Sequence, residues 1–202
     1  MRRKTSAVVL IVLLCLCCAL FCACGDTSTS SQGGKGNGNG NGSNNSQEQV
    51  ANIWEIRHYT NEFNQTTDQL FMVNKSTSYF EGKFSNGVVT NENAVAFIII
   101  DEYDIHIQLW EYGTNLVKAY SDTVYFISVS DDNGSVTSIT GDMLTNRNRI
   151  TLRGDKLISL LKNNKSLSIS IKEKANYYSS TYLFNIKTGN FNSVYNELLS
   201  KF

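Results

Sequence analysis

The run AVAFIII at residues 94–100 is apolar at every position and β-branched at its end. A bounded apolar segment of that length reads as a strand buried on both faces. The fold therefore needs a sheet covered on two sides. Residues 101–104 are polar and form a short turn. Beyond it, Ile105, Ile107 and Leu109 alternate with His106, Gln108 and Trp110, the period of a one-sided strand. The two segments make a hairpin with a central first strand.

A period of two recurs along the chain. It is carried by Trp54, Ile56 and His58, by residues 70–73, and by Phe80, Gly82 and Phe84 on one face. Residues 124–129 and 136–140 flank Asp131-Asp132-Asn133-Gly134, an Asn-Gly hairpin turn that takes positive φ. Residues 150–152, 167–171 and 180–186 complete the set. Behind Asp155, Leu157, Leu160 and Leu161 have helical spacing. Phe191, Val194, Tyr195, Leu198, Leu199 and Phe202 form one helical stripe with Asn190 at the N-cap. The stripe's polar face has Lys201 as its one base, so a sheet is its expected partner rather than a membrane. Nine or ten short strands with two late helices predict a mainly β chain that becomes α+β at its C-terminus. The expected architecture is an antiparallel β-sandwich or partly open barrel with the C-terminal amphipathic helix packed on the sheet.

The first residues are of another kind. Arg2, Arg3 and Lys4 precede about fifteen apolar residues, the layout of a signal sequence and shorter than a spanning helix. All five cysteines, Cys15, Cys17, Cys18, Cys22 and Cys24, lie in or at the edge of this leader. Phe21-Cys22-Ala23-Cys24 resembles the lipobox of bacterial lipoproteins, with Phe21 where leucine is usual. The resemblance covers only this leader. It implies cleavage before Cys24, lipid on Cys24, and an extracytoplasmic domain anchored to the bacterial cell membrane. Two other fates fit the same residues: an ordinary A-x-G cut at Ala23-Cys24-Gly25 that frees the domain, and an uncleaved signal anchor. Residues 24–49 then form a Ser/Gly/Asn linker with nothing to bury. About 25 such residues span roughly 25–30 Å, enough slack for a tether. The expected organisation is a signal peptide at 1–23, lipidated Cys24 and linker at 24–49, and one β-rich domain at 50–202.

That domain has no thiol, which excludes a disulfide, a zinc–thiolate site and a cysteine nucleophile. It must hold together by core burial, and about 150 residues suffice for one core. The whole chain has 18 basic and 18 acidic residues. Loss of the leader removes three bases and no acid, leaving the rest mildly acidic. Nucleic acid is then not an expected partner, because phosphate binding needs clustered Lys and Arg.

No motif in the domain specifies chemistry. His58 and His106 are the two histidines, and neither has a His or Cys at metal spacing. No G-x-S-x-G or similar element supports a Ser-His-Asp triad. Asp101, Glu102 and Asp104 form an acidic turn without EF-hand spacing, read as solvated. No metal, cofactor or catalytic residue is expected. The aromatic residues Trp110, Tyr112, Tyr177 and Tyr178 sit among polar neighbours and are the candidate partner-binding residues. The expected function is a lipid-anchored, non-catalytic binding domain for a protein or envelope glycan. The alternatives are an exported envelope hydrolase and an inhibitor or immunity lipoprotein.

Cys24 alone among the cysteines follows a small residue and precedes a linker. Cys24→Ala is expected to leave the precursor uncleaved or to release the domain. The wild-type N-terminal peptide is expected to carry acyl mass on Cys24. Intact mass with an unmodified N-terminus at Asp26 would exclude the anchor.

Overall fold

A computed structural model of the chain describes residues 51–174 and 179–202. The leader, Cys24, the linker, Tyr177 and Tyr178 lie outside the described residues. The elements are β1 (Trp54–Thr60), β2 (Thr66–Asn74), β3 (Phe80–Ser85), β4 (Glu92–Ile100), β5 (Ile105–Glu111), β6 (Asn115–Leu116), β7 (Thr123–Ser130), β8 (Val136–Met143), β9 (Ile150–Leu152), α1 (Lys156–Asn163), β10 (Ser166–Glu173), β11 (Thr181–Lys187) and α2 (Phe191–Leu199).

The chain is mainly β, as expected, and its sheet closes. Strands run in the order β4-β3-β11-β10-β7-β8-β9-β5, and β5 pairs back onto β4. The result is a closed antiparallel barrel of eight strands. The AVAFIII run lies in β4 and pairs with β5 from Ala94↔Glu111 to Ile100↔Ile105. Ala94, Ala96, Ile98 and Ile100 are buried, whereas Val95 and Phe97 on the outer face are half-buried. Inward positions of the other strands follow the same alternation, as with Ile127 and Val129 of β7 or Ile169 and Ile171 of β10. An eight-stranded barrel is just wide enough for side chains to fill. Each buried Ile, Leu or Val here contributes about 1.5–3 kcal/mol relative to exposure.

Gly82 answers a local packing demand. It pairs with Phe184 of β11, and a Cβ at Gly82 would collide with the Phe184 ring and the Leu183 carbonyl. The Phe184 ring thus fills the space that glycine leaves on the facing strand.

The β1–β2 hairpin extends from the ring. Its β2 strand pairs with the end of β4 at Val73↔Ile99 and Met72↔Ile100, while β3 pairs with the start of β4 as far as Phe80↔Ala96. Between these pairings Asn74 stands in for a strand. Its side-chain oxygen accepts the Ile98 N–H at 2.7 Å and its amide donates to the Ala96 carbonyl at 3.3 Å. Asn74 is 1% exposed.

The helices pack beside this hairpin. α2 contacts β1, β2 and α1. Trp54 meets Phe191 edge-on at 5.1 Å and Phe80 at 5.7 Å, and its indole N–H donates to the Thr188 carbonyl at 2.8 Å. Asn190 does occupy the N-cap position, but its side chain makes no cap bond. Instead its oxygen accepts the Ile53 and Trp54 N–H groups, both at 2.8 Å. The expected six-residue stripe is shorter than its spacing suggests. Phe191 and Leu198 are buried, Val194 and Tyr195 half-buried, and Leu199 and Phe202 about half exposed. The helix ends at Leu199 with Ser200 as its C-cap, so Phe202 lies beyond it.

Asn74→Ala is expected to strand two buried backbone groups. Each such group costs about 1–3 kcal/mol, so the thermal midpoint should fall by roughly 5–15 °C. A midpoint within about two degrees of wild type in calorimetry would show that the junction finds other partners.

Candidate functional site

Strand alternation that fills the barrel with apolar side chains also sends short polar ones outward. On β7 and β10 these are Ser128, Ser130, Ser168 and Ser170, and they pair across the strands as Ser168↔Ser130 and Ser170↔Ser128. The next columns are Leu183 and Asn185 on β11, Glu81 and Lys83 on β3, and Asn93 and Val95 on β4. Ser168 donates to Asn185 Oδ1 at 2.8 Å, and Lys83 Nζ to Asn93 Oδ1 at 2.7 Å.

Because the serines are short and their neighbours long, the wall is hollowed into a groove of about 850 Å³. Tyr79, Tyr112, Leu183 and Val136 rise around it. It crosses six adjacent strands, from β4 round to β8, with its hydroxyl and amide columns spread over five of them, roughly 20 Å at the usual strand spacing. The strands from β4 round to β7 are paired on both edges, so no main-chain edge is open in that part of the floor; β8 meets β9 only at Gly141 and Asp142.

Tyr112 reaches the groove through an unusual backbone. Tyr112 and Gly113 take φ of 54° and 73°, and the Thr114 N–H closes the turn on the Glu111 carbonyl at 3.1 Å. Glycine does this freely, whereas a side-chain-bearing residue there costs on the order of 1–3 kcal/mol. The turn lays the Tyr112 ring edge-on against Phe84 at 5.0 Å, with the residue 47% exposed. The structure thereby separates two residues expected to share a surface. Trp110 faces outward from β5, beside Val95 of β4 and Leu116 of β6. It is half-buried and does not line the groove, and its indole N–H is buried without a hydrogen-bond partner among the described residues. Tyr177 and Tyr178 are outside the described residues. Tyr79 and the serine patch escaped sequence reasoning. Their signal was four serines at alternate positions of two strands, which only cross-strand pairing turns into a patch.

A second polar cluster lies by the β4–β5 turn. Asp101 Oδ1 accepts the Tyr103 and Asp104 N–H groups at 3.0 and 2.9 Å, and Oδ2 accepts the Tyr59 hydroxyl at 2.9 Å. His106 Nε2 lies 3.8 Å from Asp101 Oδ2, and Nδ1 is 3.1 Å from the Thr151 hydroxyl. Thr151, His106 and Asp101 thus come into line, but the Nε2–Oδ2 separation is too long for a hydrogen bond. His58, by contrast, is exposed, its Nδ1 2.8 Å from the Thr67 carbonyl. Burial pushes the His106 pKa below the ordinary 6.5; Asp101 opposes that shift and Arg149 adds to it. Burial alone would raise the Asp101 carboxyl, but bonds from Asp104, Tyr103 and Tyr59 outweigh it and hold it below 3.8.

The signs define two acid windows. As pH falls through 6.5, the unfolded chain protonates its histidine before the folded chain does, so stability declines until the folded value is passed. Asp101 contributes stability above 3.8 that is lost as pH falls through its lower folded value. His106→Gln is therefore expected to flatten the fall in thermal midpoint between about pH 7 and 5. Parallel curves for wild type and variant would overturn the assignment.

Comparison with family models, with curated proteins and with solved structures returns no match for this chain.

Proposed function

We propose that the barrel is a non-catalytic binding module of the bacterial cell envelope that holds a glycan strand in the wall groove, tethered through lipid on Cys24 and the linker. The observation that carries this reading is the lining of the groove. Hydroxyls and amides face a length of roughly 20 Å, and tyrosines stand at its border. Aromatic faces beside polar groups suit sugar rings. Glu81 and Lys83 carry opposite charges in the lining, which suits a neutral ligand. An extended peptide usually gains affinity by adding to an open strand edge, and the floor of the groove from β4 to β7 offers none. Neither histidine lines it.

A hydrolase reading has one observation in its favour, the line of Thr151, His106 and Asp101. Neither Thr151 nor His106 lines any of the described cavities, so a substrate has no seat beside that hydroxyl.

Titration of the full-length chain with soluble envelope oligosaccharides in a calorimeter is the test. Tyr79→Ala and Tyr112→Asn are each expected to weaken binding about tenfold, or 1.4 kcal/mol. Asparagine tolerates the left-handed backbone, so Tyr112→Asn removes the ring and keeps the turn. Unchanged affinity in both variants, or loss of oligosaccharide turnover in Thr151→Ala, would overturn the reading.

A further inference from the structure

The barrel end opposite the helices is built differently from the rest of its interior. Inward positions of β5 run Ile105, Ile107, Leu109 and then Glu111, and those of β10 run Leu167, Ile169, Ile171 and then Glu173. The last inward layer therefore holds two carboxylates. Glu173 pairs across the strands with Tyr125, and the Tyr182 hydroxyl donates to Glu111 Oε1 at 2.8 Å. Glu173 Oε2 accepts the Ser180 N–H at 3.4 Å. These residues line an open cleft of about 500 Å³ with exposed Lys118 and Tyr120 also on its lining.

We propose that this barrel mouth binds the ammonium group of a small primary amine between Glu111 and Glu173, with the Tyr125 hydroxyl as a third acceptor.

Two features point to a missing cation. First, among the described residues neither glutamate has an ion-pair partner, although both are half-buried at the same opening. Second, Tyr125 is 3% exposed and lines the cleft, and its hydroxyl has no hydrogen-bond partner among the described residues. The hydroxyl reaches the cleft, since among the described residues Trp110 Nε1 is the fully buried side-chain polar atom without a partner, so the Tyr125 oxygen stands open to a donor from a bound group. The field there is negative in effect: burial first, then Glu173 and Glu111, push the Tyr125 hydroxyl far above its ordinary value, and burial with Glu111 does the same to Tyr182.

The donor count selects the ligand. An ammonium has three N–H donors, and the mouth offers two carboxylates and one free phenol oxygen. The tyrosine rings add faces that attract a cation. Calcium needs six to eight oxygens, and among the described residues no three carboxylate or imidazole groups gather as a metal site. An anion would meet two negative charges.

The test is calorimetric titration of the full-length chain with butylammonium chloride, with 1-butanol as the uncharged control. Saturable binding of butylammonium alone is expected, weakened at least tenfold in Glu173→Gln and in Glu111→Gln, and about threefold in Tyr125→Phe. Tyr125→Phe keeps both charges and the ring, so it decides the matter if a glutamine variant fails to fold. Equal binding of butanol, no saturation below about 100 mM amine, unchanged affinity in the variants, or displacement of the amine by stoichiometric calcium would overturn the proposal. Tyr79→Ala should leave amine binding unchanged, so this site and the wall groove stand or fall separately.

Discussion

The barrel depends on the side chain of Asn74. Strand β4 has one edge fully taken by β5, and its other edge is shared by β3 and β2 in succession. Where one partner gives way to the next, the Ala96 carbonyl and the Ile98 N–H face a gap in the sheet. That gap is deep in the core, where water does not reach and an unpaired backbone group is costly. A primary amide carries a donor and an acceptor in nearly the geometry of a peptide group, so it completes the ladder for one step. Hydrocarbon of the same size would fill the space and leave both groups unsatisfied. The branch point that lets β1–β2 leave the ring exists because residue 74 is asparagine.

A second asparagine performs the matching task at the helical end. Asn190 turns away from its own helix to accept the Ile53 and Trp54 N–H groups, and its amide donates back to the Trp54 carbonyl at 3.1 Å. The start of β1 is thereby held to α2, and Trp54 is pinned between Phe80 and Phe191. Asn190 trades a local hydrogen bond for ones that span 136 and 137 residues of chain, and Asn74 reaches across 22 and 24. In sequence, Asn190 reads as an N-cap and Asn74 as a polar strand end, because propensity reports only local competition.

The same division separates what was legible from what was not. Several elements were visible: AVAFIII as a core strand, although its outer face is only half-buried at Val95 and Phe97 rather than fully covered, Phe80/Gly82/Phe84 as one face, Asn133-Gly134 as a hairpin turn with Gly134 at φ 79°. Closure was not visible, since pairing of β4 with β5 on one edge and β3 on the other is compatible with a sandwich as well as a ring. At the candidate site, Tyr112 was identified for its aromatic ring but placed with Trp110 by strand parity. A left-handed turn breaks that parity. The serine patch looked like solvent-facing filler, because its meaning lies in Ser168↔Ser130 and Ser170↔Ser128, separated by some 40 residues of chain. Glu111 and Glu173 were likewise unremarkable strand ends until closure turned both inward at one opening.

Closure also bears on how a domain without thiols limits its open strand edges. A ring pairs most of its circumference, with β9 joined to β8 and to β5 by two residue pairs each, and open edges remain at the start of β8 and on the appendages. The outer edge of β1 is one of them, since β1 pairs with β2 alone. There the side chains are charged or polar: Arg57 pairs with Glu55, and His58 and Thr60 follow toward a register shift between His58 and Thr60. Charge and irregularity at an edge both oppose pairing with another chain. The buried apolar residues at the start of β1 are Trp54 and the preceding Ile53, where Asn190 has already taken the backbone N–H groups. The residues most apt to recruit a foreign strand are therefore the ones whose hydrogen bonds are spent within the fold.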